Sequence, residues 1–185
     1  MSALIALVAW AAVAVGGVLL MSSGRLTLDT GWGRRTRRLG PQVVRIAAPR
    51  ELVFDLAAVP YGDRPPHAFR TKVEVLERGT DMVVAAHRTR AGRLTTVTVE
   101  SVTFRRPEEI GFRLLRGPVP SVSERFILRD LADGTTELEY SGVLGTDGWA
   151  IGAAWGNLVA RYWERTVADS LLVLKSAAER AAVNR

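Results

Sequence analysis

Apolar and polar side chains alternate along six consecutive segments between residues 70 and 145, and this alternation limits the possible folds most strongly. The six segments cover residues 70–78, 82–90, 94–105, 110–116, 122–131 and 135–145. A period of two is typical of strands with one buried face. The breaks between segments are short and rich in Gly, Pro and Asp-Gly, which favours antiparallel neighbours. Together with a short apolar run at 42–48, the pattern predicts about seven antiparallel strands.

The two ends of this region predict helices. Pro49 opens a short apolar segment that ends before Pro60, as proline at a first helical position often does. From Trp149 onward, apolar residues recur at steps of three and four, which indicates a long amphipathic helix. The apolar stripe of such a helix needs a partner surface, so we expect this helix to cover the sheet.

Three stretches resemble members of the START/Bet v 1-like superfamily (SRPBCC), in particular its polyketide cyclase/dehydrase and lipid-transport-like branch. They are RIAAPRELVFDLAA, SERFILRDLADGTTELEYSGVL and the closing VADSLLVLKSAAER. The resemblance implies an α+β helix-grip fold, in which a curved antiparallel sheet surrounds a long C-terminal helix. We expect this domain to occupy residues 42–185.

The N-terminal segment predicts a membrane anchor. Residues 1–24 carry no charge, and residues 3–21 are almost uniformly apolar. Nineteen helical residues span about 28 Å, close to the ~30 Å hydrocarbon core of a bilayer. The segment lacks the basic start and the small-residue cleavage site of a signal peptide. We therefore predict a single transmembrane helix over 1–21, followed by a basic juxtamembrane linker over 22–41.

The distribution of charge gives this anchor an orientation. The chain has 25 Lys and Arg against 19 Asp and Glu, and residues 25–50 hold the whole excess of +6. Basic residues after the helix place the C-terminal domain in the cytoplasm, at the cell membrane. The cluster Arg34, Arg35, Arg37 and Arg38 either contacts anionic headgroups or acts only as a topology signal. Because residues 51–185 are formally neutral, no nucleic-acid partner is expected.

The sequence contains no motif that identifies a catalytic residue, metal site or cofactor. The chain has no cysteine and two histidines, so a zinc site is not expected. It also lacks the G-x-S-x-G elbow, the phosphate-binding loop and the dinucleotide fingerprint. We expect no cofactor, favour non-enzymatic binding while leaving catalysis open, and find nothing that fixes the oligomeric state.

The alternation also predicts which side chains line a cavity between the sheet and the C-terminal helix. A carboxylate or an imidazole in such a cavity suits proton transfer or hydrogen bonding to a ligand. Each candidate has a structural alternative: a strand histidine with a satisfied partner, a glutamate at the cavity mouth, or aromatic packing. The candidate ligand-binding residues are His87, Phe112, Glu124, Phe126, Tyr140 and Trp155.

These features favour a membrane-anchored protein that binds or carries a hydrophobic small molecule or lipid. The resemblance supports one alternative, a polyketide cyclase- or dehydratase-like enzyme in which His87, Glu124 or Tyr140 would move protons. A third possibility is a structural membrane subunit whose interior is a packed core.

Overall fold

The computed structural model describes residues 2–91 and 94–184, and within them the predicted α+β architecture is confirmed. The elements are α1 (Ser2–Ser22), β1 (Arg35–Ile46), α2 (Arg50–Ala58), a 3-10 turn (Val59–Tyr61), α3 (His67–Arg70), β2 (Val73–Arg78), β3 (Met82–Ala91), β4 (Leu94–Arg105), β5 (Glu109–Arg116), β6 (Ser121–Asp130), β7 (Thr136–Thr146) and α4 (Trp149–Val183). The seven strands form one antiparallel sheet in the order β1-β7-β6-β5-β4-β3-β2.

Helix α4 lies against β1 and β7 and also contacts α2. Its buried positions include Ala160, Leu171 and Ala178, which join the apolar core formed with the inner face of the sheet. The core also takes in Leu52, Val53 and Phe54 of α2. The long helix is therefore gripped by the sheet, as the fold prediction requires.

Glu164 fastens α4 to the first strand. Its carboxylate accepts hydrogen bonds from the Arg37 guanidinium at 2.9 Å and from the Gly40 backbone N–H at 3.2 Å. Its backbone carbonyl accepts a bond from the Gln42 side chain at 3.0 Å. These contacts surround the irregularity in β1 between Leu39 and Gln42, so they fix the position of the middle of α4 over the sheet.

Strand β1 begins at Arg35, seven residues before the start of the apolar run that predicted it. Arg35, Arg37 and Arg38 therefore belong to an edge strand paired with β7. The arginines on this half of β1 made the strand difficult to recognise in the sequence. An edge strand beside solvent does not need the apolar run on which the prediction relied.

The N-terminal helix α1 is uncharged and is apolar on all sides. Among the described residues, no helix combines the length and the apolar character that crossing a bilayer requires. The transmembrane anchor predicted for residues 1–21 is thus not supported by the structure. The large apolar side chains described on α1 are exposed: Ile5, Leu7, Val8, Trp10, Val13, Val15, Leu19 and Leu20.

Candidate functional site

The centre of the candidate site is the Glu124 carboxylate, which lies on the concave face of the sheet beneath α4. Its Oε2 atom accepts a hydrogen bond from the Tyr140 hydroxyl at 2.6 Å and another from the Trp163 indole N–H at 2.8 Å. Glu124 comes from β6, Tyr140 from β7 and Trp163 from α4. One carboxylate oxygen therefore joins two strands and the gripping helix.

Gly142 makes room for this arrangement. It lies opposite Glu124 in the β6–β7 ladder. A Cβ atom at position 142 would come within 2.7 Å of Glu124 Cβ and 2.8 Å of the Ser123 carbonyl oxygen. A glycine is needed because any side chain here would push the Glu124 side chain or the β6 backbone away.

The second oxygen of Glu124 remains available to a ligand. Within the described residues, Oε1 accepts no hydrogen bond, while Oε2 accepts two. Among the described residues, Nε of Arg50 is a fully buried side-chain atom without a hydrogen-bond partner. Oε1 of Glu124 does not belong to that class. Oε1 therefore has no hydrogen-bond partner among the described residues and is not fully enclosed.

Burial controls the ionisation of Glu124. Removal from solvent raises its pKa, the negative charge of Glu100 raises it further, and the bonds from Tyr140 and Trp163 oppose the shift. The resulting pKa is about 7. The carboxyl group is thus near half-protonation at neutral pH, so it can either donate or accept a proton.

His87 and Glu100 form a second buried polar group on the same face. Nδ1 of His87 lies 3.0 Å from Oε2 of Glu100, and its Nε2 lies 3.1 Å from the Tyr61 hydroxyl. The Thr98 hydroxyl donates to the other Glu100 oxygen at 2.7 Å. Both nitrogens of the imidazole and both oxygens of Glu100 therefore have partners.

The two groups influence each other through their charges. Burial lowers the pKa of His87, but the charge and hydrogen bond of Glu100 and the charge of Glu124 outweigh it, so the net shift is upward. Burial and the nearby carboxylates raise the pKa of Tyr61 and Tyr140, which keeps both hydroxyls protonated. The site therefore holds two carboxyl groups and an imidazole within electrostatic reach, with two phenols as donors.

Aromatic rings form the apolar part of the site. The Phe112 and Phe126 ring centroids are 5.2 Å apart and nearly perpendicular, and the Phe126 and Tyr140 centroids are 5.9 Å apart. Tyr61 packs on Phe104 with a centroid distance of 5.6 Å. The first two pairs are edge-to-face and the third is tilted, and these rings pack with the apolar core.

The structure brings five of the six candidate residues to the concave face: His87, Phe112, Glu124, Phe126 and Tyr140. Trp155 is positioned differently. Its indole N–H donates to the Pro118 carbonyl at 2.8 Å, which ties α4 to the β5–β6 connection. No contact tests the ligand-binding role of any of the six, which stays a prediction.

The four arginines predicted to face a membrane have different environments. Arg34 is paired with Asp147 through Nε at 2.7 Å and also with Asp29. Arg37 is paired with Glu164 at 2.9 Å. Arg35 and Arg38 are exposed on β1. Two of the four charges are thus already neutralised within the protein.

Three residues of the site escaped sequence analysis as site residues: Tyr61, Glu100 and Trp163. Glu100 and Thr98 alternate with Val97 and Val99, and the two valines resemble the inner face of β4. Val99 is indeed buried, but on the outer face. Gly24, just after α1, packs on Val97, and the β4–β5 ladder shifts register between Val99 and Glu100. In the β3–β4 ladder Glu100 lies opposite Ala85, and His87 lies opposite Thr98.

No group of three or more His, Asp or Glu side chains among the described residues could hold a metal ion.

Comparison with known proteins identifies the class. Residues 41–179 match the family described as polyketide cyclase / dehydrase and lipid transport. The chain belongs to this family. No curated protein matches it.

Solved structures share the fold at low sequence identity. The Zhui aromatase/cyclase from Streptomyces sp. R1128 is similar with a TM-score of 0.62 and 20% identity, over 80% of this chain and 94% of that one. A START superfamily protein from Mycobacterium smegmatis is similar with a TM-score of 0.56 and 15% identity, over 78% and 99%. The di-domain aromatase/cyclase StfQ from the steffimycin pathway matches with a TM-score of 0.60 and 13% identity, over 80% of this chain and 52% of that one.

Proposed function

We propose that the chain binds a hydrophobic small molecule against the concave face of its sheet, with Glu124 as the polar anchor. The observation that carries this proposal is the Oε1 atom of Glu124, which has no hydrogen-bond partner among the described residues, in a carboxylate whose other oxygen bonds Tyr140 and Trp163. Small-molecule sites are mostly apolar and carry a few well-placed polar groups. The family and the aromatase/cyclase and START structures support the same class of ligand.

The geometry also defines the ligand chemistry. Phe112 and Phe126 offer an apolar, aromatic surface, and Oε1 of an ionised Glu124 accepts a proton donor. We expect an apolar ligand that carries a hydroxyl or enol group. A substitution of Glu124 by glutamine should be especially informative. Its amide oxygen can still accept from Tyr140 and Trp163, while an N–H donor replaces the free acceptor.

A pair of model ligands tests this anchor with the full chain in detergent. We expect 2-naphthol to bind more tightly than 2-methoxynaphthalene, which has no hydroxyl hydrogen. In the E124Q variant the preference should disappear, while in S123A it should persist, because Ser123 lies next to Glu124 on the exposed face of β6. Equal binding of both ligands to the unmodified chain would contradict the anchor. Mass spectrometry of organic extracts of the purified chain would identify a natural ligand.

A second candidate function is cyclisation or dehydration of a polyketide-like substrate. Two carboxyl groups and an imidazole share the concave face, and Glu124 has a pKa of about 7. Such a carboxylate could accept the proton of a C–H bond beside a carbonyl and return it to a departing hydroxyl, which leaves as water. Loss of turnover in both E124Q and H87Q, with ligand binding retained in H87Q, would favour this function. Turnover that survives both substitutions would exclude this assignment of the proton-transfer groups.

We further propose that α1 attaches the chain to a membrane. Most of its described apolar side chains are exposed, with Trp10 76% and Leu7 69% accessible, and residues 1–24 carry no charge. Leaving such a helix in water costs free energy in proportion to its apolar area. The proposed location is the cell membrane, with the domain on the cytoplasmic side. Fractionation of cells, followed by protease treatment of intact cells, tests the attachment and the orientation separately.

A further inference from the structure

A recess lies on the face of the sheet opposite Glu124, the convex face. It has a volume of about 690 Å³ and lies between the segment that follows α1, residues 25–29, and the outer faces of β3, β4 and β5. Val84, Ser101 and Arg113 stand side by side on these three strands and line the groove. This groove, called the convex groove below, has no residue in common with the Glu124 site.

The chain that follows α1 is fixed in place and forms one wall of the convex groove. Helix α1 ends in a Schellman motif: the Gly24 N–H bonds the Met21 carbonyl and the Arg25 N–H bonds the Leu20 carbonyl, with Gly24 at φ +68°. The Thr27 hydroxyl then donates to the Gly117 carbonyl at 3.1 Å and accepts from the Gly117 N–H at 2.8 Å. The wall is therefore tied to β5 at one end and to α1 at the other.

The lining of the convex groove is amphipathic. Leu26, Met82 and Leu115 line it although 37%, 39% and 48% of their surfaces are accessible. Exposed apolar residues clustered in a recess are typical of a binding surface. They sit beneath a rim of arginines rather than beneath a covering element of the chain.

Three arginines line the convex groove: Arg25, Arg113 and Arg116. Across the described residues, none of the three forms an ion pair with a carboxylate. The groove's one acidic residue, Asp29, is itself paired with Arg34. The groove thus offers three guanidinium groups above an apolar floor, and guanidinium is well matched to phosphate oxygens.

We propose that the convex groove binds an anionic phospholipid, with the phosphate on the three arginines and the upper acyl chain on Leu26, Met82 and Leu115. Arg25 follows the exposed apolar helix α1 by three residues, so a bilayer that holds α1 would bring headgroups to this rim. The assignment rests on the membrane attachment proposed above. In this proposal the lipid contacts the groove arginines instead of Arg34 and Arg37, which have carboxylate partners.

Flotation of the full chain with two kinds of vesicle tests this proposal. One kind contains phosphatidylcholine alone, and the other also contains phosphatidylglycerol. We expect stronger binding to the anionic vesicles and a weaker preference at high salt. The triple variant R25Q/R113Q/R116Q should lose up to about a hundredfold of that preference, at about fivefold for each arginine near a charged surface. The control R64Q/R161Q/R165Q removes the same charge from exposed arginines outside the groove.

The outcomes distinguish lipid binding in the convex groove from membrane attachment by α1. Loss of the anionic preference in the groove variant but not in the control supports the proposal. Equal losses in the two variants would show a general effect of net charge, and no loss in the groove variant would place the lipid elsewhere; both results overturn the proposal. Failure to bind either kind of vesicle would instead refute the attachment by α1. Two further results together would indicate a free phosphate ligand: soluble glycerol phosphate competes with the anionic vesicles, and the L115S variant binds these vesicles as the native chain does. They would also overturn the lipid assignment.

Discussion

Trp163 on α4 donates its indole N–H to the Glu124 carboxylate on β6 at 2.8 Å. This bond links the middle of the gripping helix to the polar centre of the concave face. The next residue along α4, Glu164, points to β1 and binds Arg37 and Gly40. Two adjacent residues of one helix therefore position the helix on the sheet and hold the candidate anchor of the ligand.

Replacing Trp163 by phenylalanine should raise the pKa of Glu124 above its value of about 7, because the indole bond is one of the contacts that favour the ionised form. A hydrogen bond to a charged group contributes roughly 1.5–3 kcal/mol, so stability above neutral pH should also fall by an amount of that order. NMR titration of the Glu124 side-chain carboxyl carbon measures the shift. W155F is the control, because Trp155 bonds Pro118 outside this cluster. An unchanged titration in W163F would show that the indole does not act on the carboxyl group.

Glu124 should also make the protein less stable as pH rises. Its pKa is raised from 4.5 to about 7 in the folded state, so the folded state holds a proton that the unfolded state has lost between these values. The stabilisation by this proton is complete below pH 4.5 and disappears as pH rises through about 7. Partial solvent access limits it to at most about 3 kcal/mol. Urea unfolding of the native chain and of E124Q across this range measures it.

The His87 pKa is also raised, so its contribution falls with rising pH in the same direction; it should be weaker in E124Q, which keeps Glu100 but loses the charge of Glu124. The prediction therefore concerns the difference between the two pH profiles. Parallel profiles for the native chain and E124Q would mean that Glu124 ionises as freely in the folded state as in the unfolded state.

Replacing Glu100 by glutamine should lower the pKa of Glu124 and that of His87, because the charge of Glu100 raises both. The glutamine keeps the size of the side chain and an acceptor for Thr98. The two titrations can be followed by NMR in one sample. E77Q removes an equal charge from an exposed site on β2 and should leave both unchanged. If the pKa of Glu124 is the same in E100Q as in the native chain, the two polar groups are not coupled.

Replacing Gly142 by alanine should distort the site. The new Cβ atom would lie 2.7 Å from Glu124 Cβ and 2.8 Å from a backbone oxygen of β6. Overpacking of this kind typically costs about 1–3 kcal/mol. Chemical denaturation measures the loss, and G62A is the control, since its Cβ would meet only a carbonyl oxygen at 3.5 Å. Full stability of G142A, with an unshifted Trp163 indole resonance, would contradict the packing described here.

The sequence predicts the fold and part of the polar site, and the physical reason is the alternation of side chains along the strands. His87, Glu124 and Tyr140 alternate with apolar neighbours that face the core, so a period of two was sufficient to place them. Glu100 was hidden because Val97 and Val99 lie on the other face of β4, where Val97 packs on Gly24 and Val99 is buried. Trp163 could not be separated from ordinary helix packing, since its partner lies 39 residues away in the sequence.

The most direct test of the central proposal is the response of the Trp163 indole N–H to a bound ligand. The full chain has five tryptophans, so indole spectra of 15N-labelled protein are simple, and W163F assigns the relevant signal. Titration with 2-naphthol should shift the Trp163 resonance, because the ligand would bind the same carboxylate. The resonances of Trp32 and Trp149, which pack on each other outside the site, should not move. If 2-naphthol produces a saturable shift only in the Trp32 and Trp149 resonances and leaves Trp163 unchanged, the ligand site at Glu124 is contradicted.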